Sequence, residues 1–67
     1  MRGLPQVRRS RSGLVTLLTW ASGKQELRVR QNDPHASAQH IPGWVPFWTG
    51  RHSDHVVHVY RPRSDLR

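Results

Sequence analysis

The sequence predicts a small all-β domain of about four short antiparallel strands, arranged as two hairpins. In residues 14–20 the even-numbered and the odd-numbered positions are both mainly apolar. Residues 26–30 instead alternate strictly between charged and apolar side chains. Residues 55–60 are rich in β-branched side chains, which favour pleated surfaces. Two hairpins joined by a loop could curl into a half-open barrel of the SH3-like or OB-like type.

The length of 67 residues allows a single domain, and the composition limits its core. Hydrophobic residues make up 34% of the chain and cysteine is absent, so a disulfide framework cannot compensate for the small core. Chains of fewer than about 70–80 residues usually need a staple or a partner. We therefore expect a disordered basic arm over residues 1–12, a β domain over residues 13–60 and a fraying basic tail over residues 61–67.

The first predicted strand, residues 14–20, is apolar on both of its faces. This pattern is typical of a strand that is covered on both sides, and hence of a central strand. A short helix, capped by Ser12 and ended by Gly23, is the alternative. The β-branched residues of this segment argue for the strand. One face would carry Leu14, Thr16, Leu18 and Trp20, and the other Val15, Leu17 and Thr19.

The second predicted strand, residues 26–30, pairs with the first. Its apolar side chains, Leu27 and Val29, point inward, while the charged side chains at 26, 28 and 30 point to solvent. Ser22 and Gly23 supply the turn between the two strands. We expect a hairpin in which residues 26–30 form the more peripheral strand.

The second predicted hairpin joins residues 44–48 to residues 55–60. Turn residues precede it at 32–34 and 42–43. Residues 44–48 are aromatic and extended, and Pro46 restricts them to an edge or a strand end, because proline cannot donate a hydrogen bond to a neighbouring strand.

Aromatic residues and one histidine are expected to complete the core. His58 shares a strand face with Val56 and Tyr60, and a histidine on such a semi-buried face is usually a hydrogen-bonded packing residue. Trp20 and Phe47 are assigned to the core because the chain has few other large apolar side chains.

Positive charge is the strongest functional signal in the sequence. Eleven basic residues and four acidic residues give a formal net charge of +7, and ten of the eleven are arginine. Arginine pairs bidentately with phosphate and stacks on bases, although a GC-rich coding sequence would produce the same excess over lysine. The net charge itself draws the protein to polyanions. The sequence therefore predicts binding to nucleic acid, with RNA favoured over DNA.

The candidate binding residues are arginines and two tryptophans. Arg28 and Arg30 lie two residues apart on one strand face, about 6.6 Å by strand rise, which suits neighbouring phosphates. Solvated surface is the alternative for any single arginine, and core packing or protein docking for the tryptophans. The predicted phosphate contacts are Arg8, Arg9, Arg11, Arg28, Arg30, Arg61 and Arg63, and the predicted stacking residues are Trp44 and Trp48.

The sequence offers little for catalysis or metal binding. It has no cysteine nucleophile and no close pair of carboxylates. His55 and His58 would point to opposite faces of a strand, so the five histidines do not converge on one metal ion. No apolar run approaches the roughly 18 residues of a membrane span. We therefore expect a protein that is not an enzyme, with no cofactor, no metal site and no membrane span.

Two functions remain open from the sequence. The first is non-catalytic RNA binding as a small component of a larger ribonucleoprotein. The second is a small protein-binding regulator or inhibitor, of the phage or mobile-element type, that docks on an acidic partner through the aromatic edge at 44–48. An intracellular location is favoured, and organellar import is an alternative because no acidic residue precedes Glu26.

Overall fold

A computed structural model describes residues 3–66 as one open antiparallel sheet of five strands. The strand order across the sheet is β1-β2-β3-β5-β4, so β1 and β4 form the two edges. The prediction of a small all-β antiparallel domain is confirmed. The strands are β1 (Gln6–Arg9), β2 (Val15–Thr19), β3 (Gln25–Gln31), β4 (Trp44–Arg51) and β5 (Val56–Pro62), followed by a 3-10 helix, Arg63–Leu66.

The two predicted hairpins are present, but the strand in the middle of the sheet is not the predicted one. Strands β2 and β3 pair with Leu17 opposite Leu27, and β4 pairs antiparallel with β5. Strand β3 also pairs with β5, so β3 and not β2 lies in the middle of the sheet. Its alternating pattern misled the prediction, because a central strand of an antiparallel sheet can still expose one whole face.

The expected N-terminal arm contributes a fifth strand. Strand β1 pairs with β2 from Gln6 opposite Thr19 to Arg9 opposite Thr16. The outer edge of β2 carries main-chain groups that need hydrogen-bond partners, and β1 supplies them. Gly13, with φ of 78°, takes the left-handed conformation that this tight connection requires.

The predicted barrel and the fraying tail are corrected as well. Within residues 3–66 the edges β1 and β4 do not pair with each other, so the sheet stays open. At the other end of the chain, β5 runs beyond residue 60 to Pro62 and continues into the 3-10 helix. The parts of the two terminal predictions that concern residues 1–2 and 67 lie outside the described residues.

One side of the sheet is crossed by residues 32–43, and we call it the covered face. Directly paired residues of adjacent strands point to the same side, which places Leu27, His58 and Tyr60 on this face. The Tyr60 hydroxyl donates to the Gln39 oxygen at 2.7 Å, and the amide of Gln31 donates to the Ser37 oxygen at 3.0 Å. These bonds hold the crossing segment over the sheet.

His58 is hydrogen-bonded, as the sequence predicts, and it is more deeply buried than the predicted semi-buried face implies. Its side chain is 1% exposed and lies between β4 and the crossing segment. Its Nε2 is 3.1 Å from the carbonyl oxygen of Ala36, and its Nδ1 is 2.9 Å from the Oγ1 of Thr49. Because a carbonyl oxygen only accepts, Nε2 carries the hydrogen, and in the neutral ring Nδ1 accepts from the Thr49 hydroxyl.

Candidate functional site

A β-bulge in the edge strand β4 determines which aromatic side chains lie on the side of the sheet opposite the covered face. Pro46 pairs with Tyr60, and the next paired residue is Trp48, opposite Val59, so Phe47 is the extra residue. Regular alternation would place Trp48 on the covered face together with Pro46. The bulge instead turns Phe47 and Trp48 to the same side, which we call the open face.

Phe47 and Trp48 are both exposed on the open face. Phe47 is 43% exposed and Trp48 is 56% exposed, so the assignment of Phe47 to the core is wrong. The guanidinium carbon of Arg61 lies 4.2 Å from the centroid of the Phe47 ring, which is a cation–π contact. Trp20, the other predicted core aromatic, is only half-buried.

Gly50 provides the space that the Trp48 indole occupies. The Cη2 and Cζ3 atoms of Trp48 lie 2.5 and 2.8 Å from the position that a Cβ would take on Gly50. A side chain there would therefore displace the indole. Gly50 pairs with Val57, so the indole lies beside an apolar part of the open face.

Four arginines share the open face with these aromatic residues. Cross-strand pairing places Arg9 opposite Thr16, Arg28 opposite Val59 and Arg30 opposite Val57, all on this side. The four arginines, each of them exposed, are Arg9, Arg28, Arg30 and Arg61. The alternation of β1, β3 and β5 thus brings together basic residues from three strands.

The charge of Glu26 is compensated on the same face. Its Oε2 accepts a 2.7 Å hydrogen bond from the Nε of Arg28, two residues along β3. The Glu26 side chain is only 17% exposed, whereas that of Arg28 is 53% exposed. The guanidinium therefore remains open to solvent beside a largely covered carboxylate.

Three shallow clefts follow one another across the open face. The first has a volume of about 450 Å³ and includes Trp20, Lys24, Glu26, Arg61 and Asp65 in its walls. The second, of about 320 Å³, is formed by Glu26, Arg28, Phe47 and Trp48 over Val57 and Val59. The third, of about 350 Å³, includes Arg9, Arg28 and Arg30. Shared walls at Glu26 and Arg28 join the three into one groove.

The structure brings together five of the nine residues that the sequence predicts for binding, namely Arg9, Arg28, Arg30, Arg61 and Trp48. Arg8 and Trp44 point to the opposite side of the sheet, because they pair with Leu17 and Pro62. Arg11 lies in the turn between β1 and β2, and Arg63 begins the 3-10 helix.

Phe47, Trp20 and Lys24 also line the groove and were not predicted to bind. Lys24 ends the turn before β3, and its main-chain oxygen accepts a 2.9 Å hydrogen bond from the Trp20 amide. Strict alternation from Glu26 back along β3 would have found Lys24. The one available signal for the bulge that exposes Phe47 beside Trp48 is Pro46, since proline in a sheet is confined to edges, strand ends and bulges. Pro46 alone does not identify the extra residue.

Two of the histidines outside the core, His52 and His55, lie together at the β4–β5 turn. The rings of His52 and His55 stack with centroids 4.3 Å apart, and the Nδ1 of His55 is 2.6 Å from the Oδ1 of Asp54. This hydrogen bond lowers the pKa of the Asp54 carboxyl from its usual value. Within residues 3–66 no group of three or more histidine, aspartate or glutamate side chains is placed to hold a metal ion.

Comparisons with protein-family models, with curated proteins and with solved structures found no match to this chain. In the part of the chain that the structure describes, no helix is long and apolar enough to span a membrane.

Proposed function

We propose that the open face binds single-stranded nucleic acid, RNA in preference to DNA, without catalysis. One observation carries this proposal: four exposed arginines and two exposed aromatic rings share one face of the sheet that the crossing segment leaves uncovered. Arginine neutralises and orients phosphates, and aromatic rings stack on bases. The face combines both kinds of group within one groove.

A single strand suits this face better than a duplex. Phe47 and Trp48 present ring surfaces that can stack only on bases exposed outside a double helix. Val57 and Val59 form an apolar floor beneath them. Stacking of exposed bases on aromatic residues of a small sheet is an established mode of RNA recognition, which supports RNA as the preferred ligand.

Charge argues against a second copy of this chain as the occupant of the open face. Two such faces would bring their arginines together, and the repulsion would oppose association. A polyanion matches the charge instead. The thin core, in which six residues are buried among those described, fits a small component of a larger ribonucleoprotein.

The alternative of a protein-binding regulator would use the aromatic edge as its anchor. Trp44 and Trp48 point to opposite sides of β4, so they do not form one paired anchor. An acidic protein remains a competing ligand for the arginines, and the experiment therefore includes it as an outcome.

The test is to titrate the protein into labelled single-stranded RNA, single-stranded DNA and duplex DNA of equal length. Binding is monitored by fluorescence anisotropy at several salt concentrations. Neutralisation of about four phosphates predicts a slope of log affinity against log salt near −3 for a single strand. The double variant Arg28→Ala with Arg30→Ala should lose most of the affinity. Arg8→Ala with Arg11→Ala removes equal charge outside the open face and serves as the control.

A slope near zero, or equal losses in the two double variants, would overturn the proposal. Purification without nuclease gives a second readout. Co-purification of RNA that high salt releases supports the proposal, whereas one acidic protein that stays bound at high salt, without nucleic acid, contradicts it.

A further inference from the structure

Glu26 is the acidic side chain common to the first two clefts of the groove. One cleft places it beside Trp20 and Arg61, and the other beside Phe47, Trp48 and Arg28. A groove that bound phosphate alone would be weakened by a carboxylate in its wall, because the carboxylate repels phosphate. The position of Glu26 between aromatic rings therefore needs a different explanation.

A carboxylate in such a position can read the edge of a base. Ionised, it accepts hydrogen bonds with two oxygens and donates none. Only Oε2 is used by Arg28, at 2.7 Å, and this contact orients the carboxylate on the face. The 17% exposure of the side chain leaves it reachable from the groove while limiting the water around it, and partial removal of water strengthens a hydrogen bond to a charged group.

Guanine is the standard base whose Watson–Crick edge offers two adjacent donors, the ring N1–H and the exocyclic amino group. Adenine and cytosine place a ring acceptor next to their amino group, and uracil has acceptors on either side of its single donor. A carboxylate repels each of these acceptors. In a single strand that edge is free for recognition.

We propose that Glu26 makes the groove selective for guanine, with the base stacked on Phe47 or Trp48 and its Watson–Crick edge towards the carboxylate. This inference rests on the proposed function, since it requires a single strand in the groove. Arg28 then has two roles: it fixes the Glu26 carboxylate and leaves its exposed guanidinium for the adjacent phosphate.

The experiment compares single-stranded RNAs that are uniform except for one central nucleotide, which is guanosine, inosine, adenosine or cytidine. Inosine keeps the ring N1–H and lacks only the amino group. The protein should bind the guanosine strand about tenfold more tightly than the adenosine strand, with inosine between them. Glu26→Gln should remove most of this preference, and Asp33→Asn, which changes the charge equally in the crossing segment, should keep it.

The ratio of affinities is the readout, because Glu26→Gln also adds one unit of net positive charge and raises the affinity for every strand. Thermal unfolding of each variant confirms that it is folded. Equal affinity for all four strands, with a normal salt slope, overturns the guanine selectivity and leaves the proposed function standing. A guanine preference that survives in Glu26→Gln also overturns it, whereas a failure to bind any strand overturns the proposed function itself.

Discussion

The Tyr60 hydroxyl donates a 2.7 Å hydrogen bond to the main-chain oxygen of Gln39, which ties β5 to the segment that crosses the covered face. Tyr60 is fully buried, and burial raises the pKa of its phenol above the usual value near 10. The neutral phenol is therefore the form that the folded protein stabilises.

The raised pKa of Tyr60 predicts a loss of stability at alkaline pH. The unfolded chain releases the phenol proton near pH 10, and the folded protein releases it only at a higher pH. The free energy of unfolding should thus be unaffected by this group below pH 10 and should fall as the pH rises through the folded pKa. Denaturant unfolding at a series of pH values measures this fall, and the absorbance of the single tyrosine reports its ionisation directly.

Tyr60→Phe is the control for the alkaline prediction, because it keeps the ring and removes the ionisable group. The difference in pH dependence between the two proteins isolates Tyr60 from every other titrating group. If Tyr60 in the folded protein ionised with the ordinary tyrosine pKa of about 10, the prediction would be contradicted.

The bond between Thr49 and His58 predicts that Thr49→Val destabilises the fold. The substitution keeps the shape of the side chain and leaves the buried Nδ1 of His58 without its 2.9 Å partner. An unsatisfied buried polar atom costs about 1–3 kcal/mol. Chemical denaturation measures the loss, and Thr19→Val is the matched control because it removes only a longer, half-buried bond from Gln25. Equal effects of the two substitutions would rule out a special role for His58.

The contact of Trp48 with Gly50 predicts that Gly50→Ala weakens RNA binding. A Cβ on residue 50 would meet the indole at 2.5–2.8 Å, so the ring must leave its present position. Because Trp48 is exposed, its indole can move towards solvent. We therefore expect the affinity for RNA to fall several-fold, with only a small change in the free energy of unfolding. Anisotropy titration measures the affinity, and the same substitution made in Trp48→Ala should have no further effect. An equal loss in the two backgrounds would mean that residue 50 acts independently of the indole.

Arg8 and Arg9 provide a matched pair for the open face. They are neighbours in β1, carry the same charge and point to opposite sides of the sheet. Arg9→Ala should lower RNA affinity and reduce the magnitude of the salt slope by about 0.7, the value for one contact to a single strand. Arg8→Ala should change neither quantity beyond the small effect of net charge. Identical slopes for the two variants would show that the ligand does not distinguish the two sides.

The hydrogen bond between Asp54 and His55 predicts a small acid-dependent loss of stability. Its hydrogen bond lowers the Asp54 pKa, so the unfolded chain binds a proton at a higher pH than the folded protein. The contribution is present above the ordinary aspartate pKa near 3.9 and disappears as the pH falls through the lowered value. Comparison of Asp54→Asn with the wild type from pH 6 to about pH 2 measures it, with Asp33→Asn as the control. A constant difference over that range would exclude the linkage.

Much of the fold follows from hydrophobic alternation. The β2–β3 hairpin and the inward position of His58 both follow from the side chains at every second residue along a strand. Strand β1 could not be found in this way, because Gln6–Arg9 is exposed throughout and its pairing depends on the free edge of β2.

Part of the candidate site was predictable: the sequence points to Arg28, Arg30 and Trp48, but not to Phe47 beside Trp48. The shared face of Arg28 and Arg30 follows from their spacing on β3 alone. The position of Phe47 beside Trp48 depends on an irregularity between Pro46 and Trp48, and a shift of one residue moves every later side chain to the other side. Such a shift is determined by pairing with β5, which local sequence does not encode.

Residues 32–43 are attached to the sheet through their own backbone. The side chains of Gln31, Arg51, His58 and Tyr60 all donate to main-chain oxygens of this segment, at residues 34, 36, 37 and 39. Every amino acid supplies the same oxygen, so the path of the segment matters more than the identity of its side chains. This part of the molecule should therefore accept substitutions, epitope tags or labels on the side away from the groove, leaving the open face unaltered for measurements of binding.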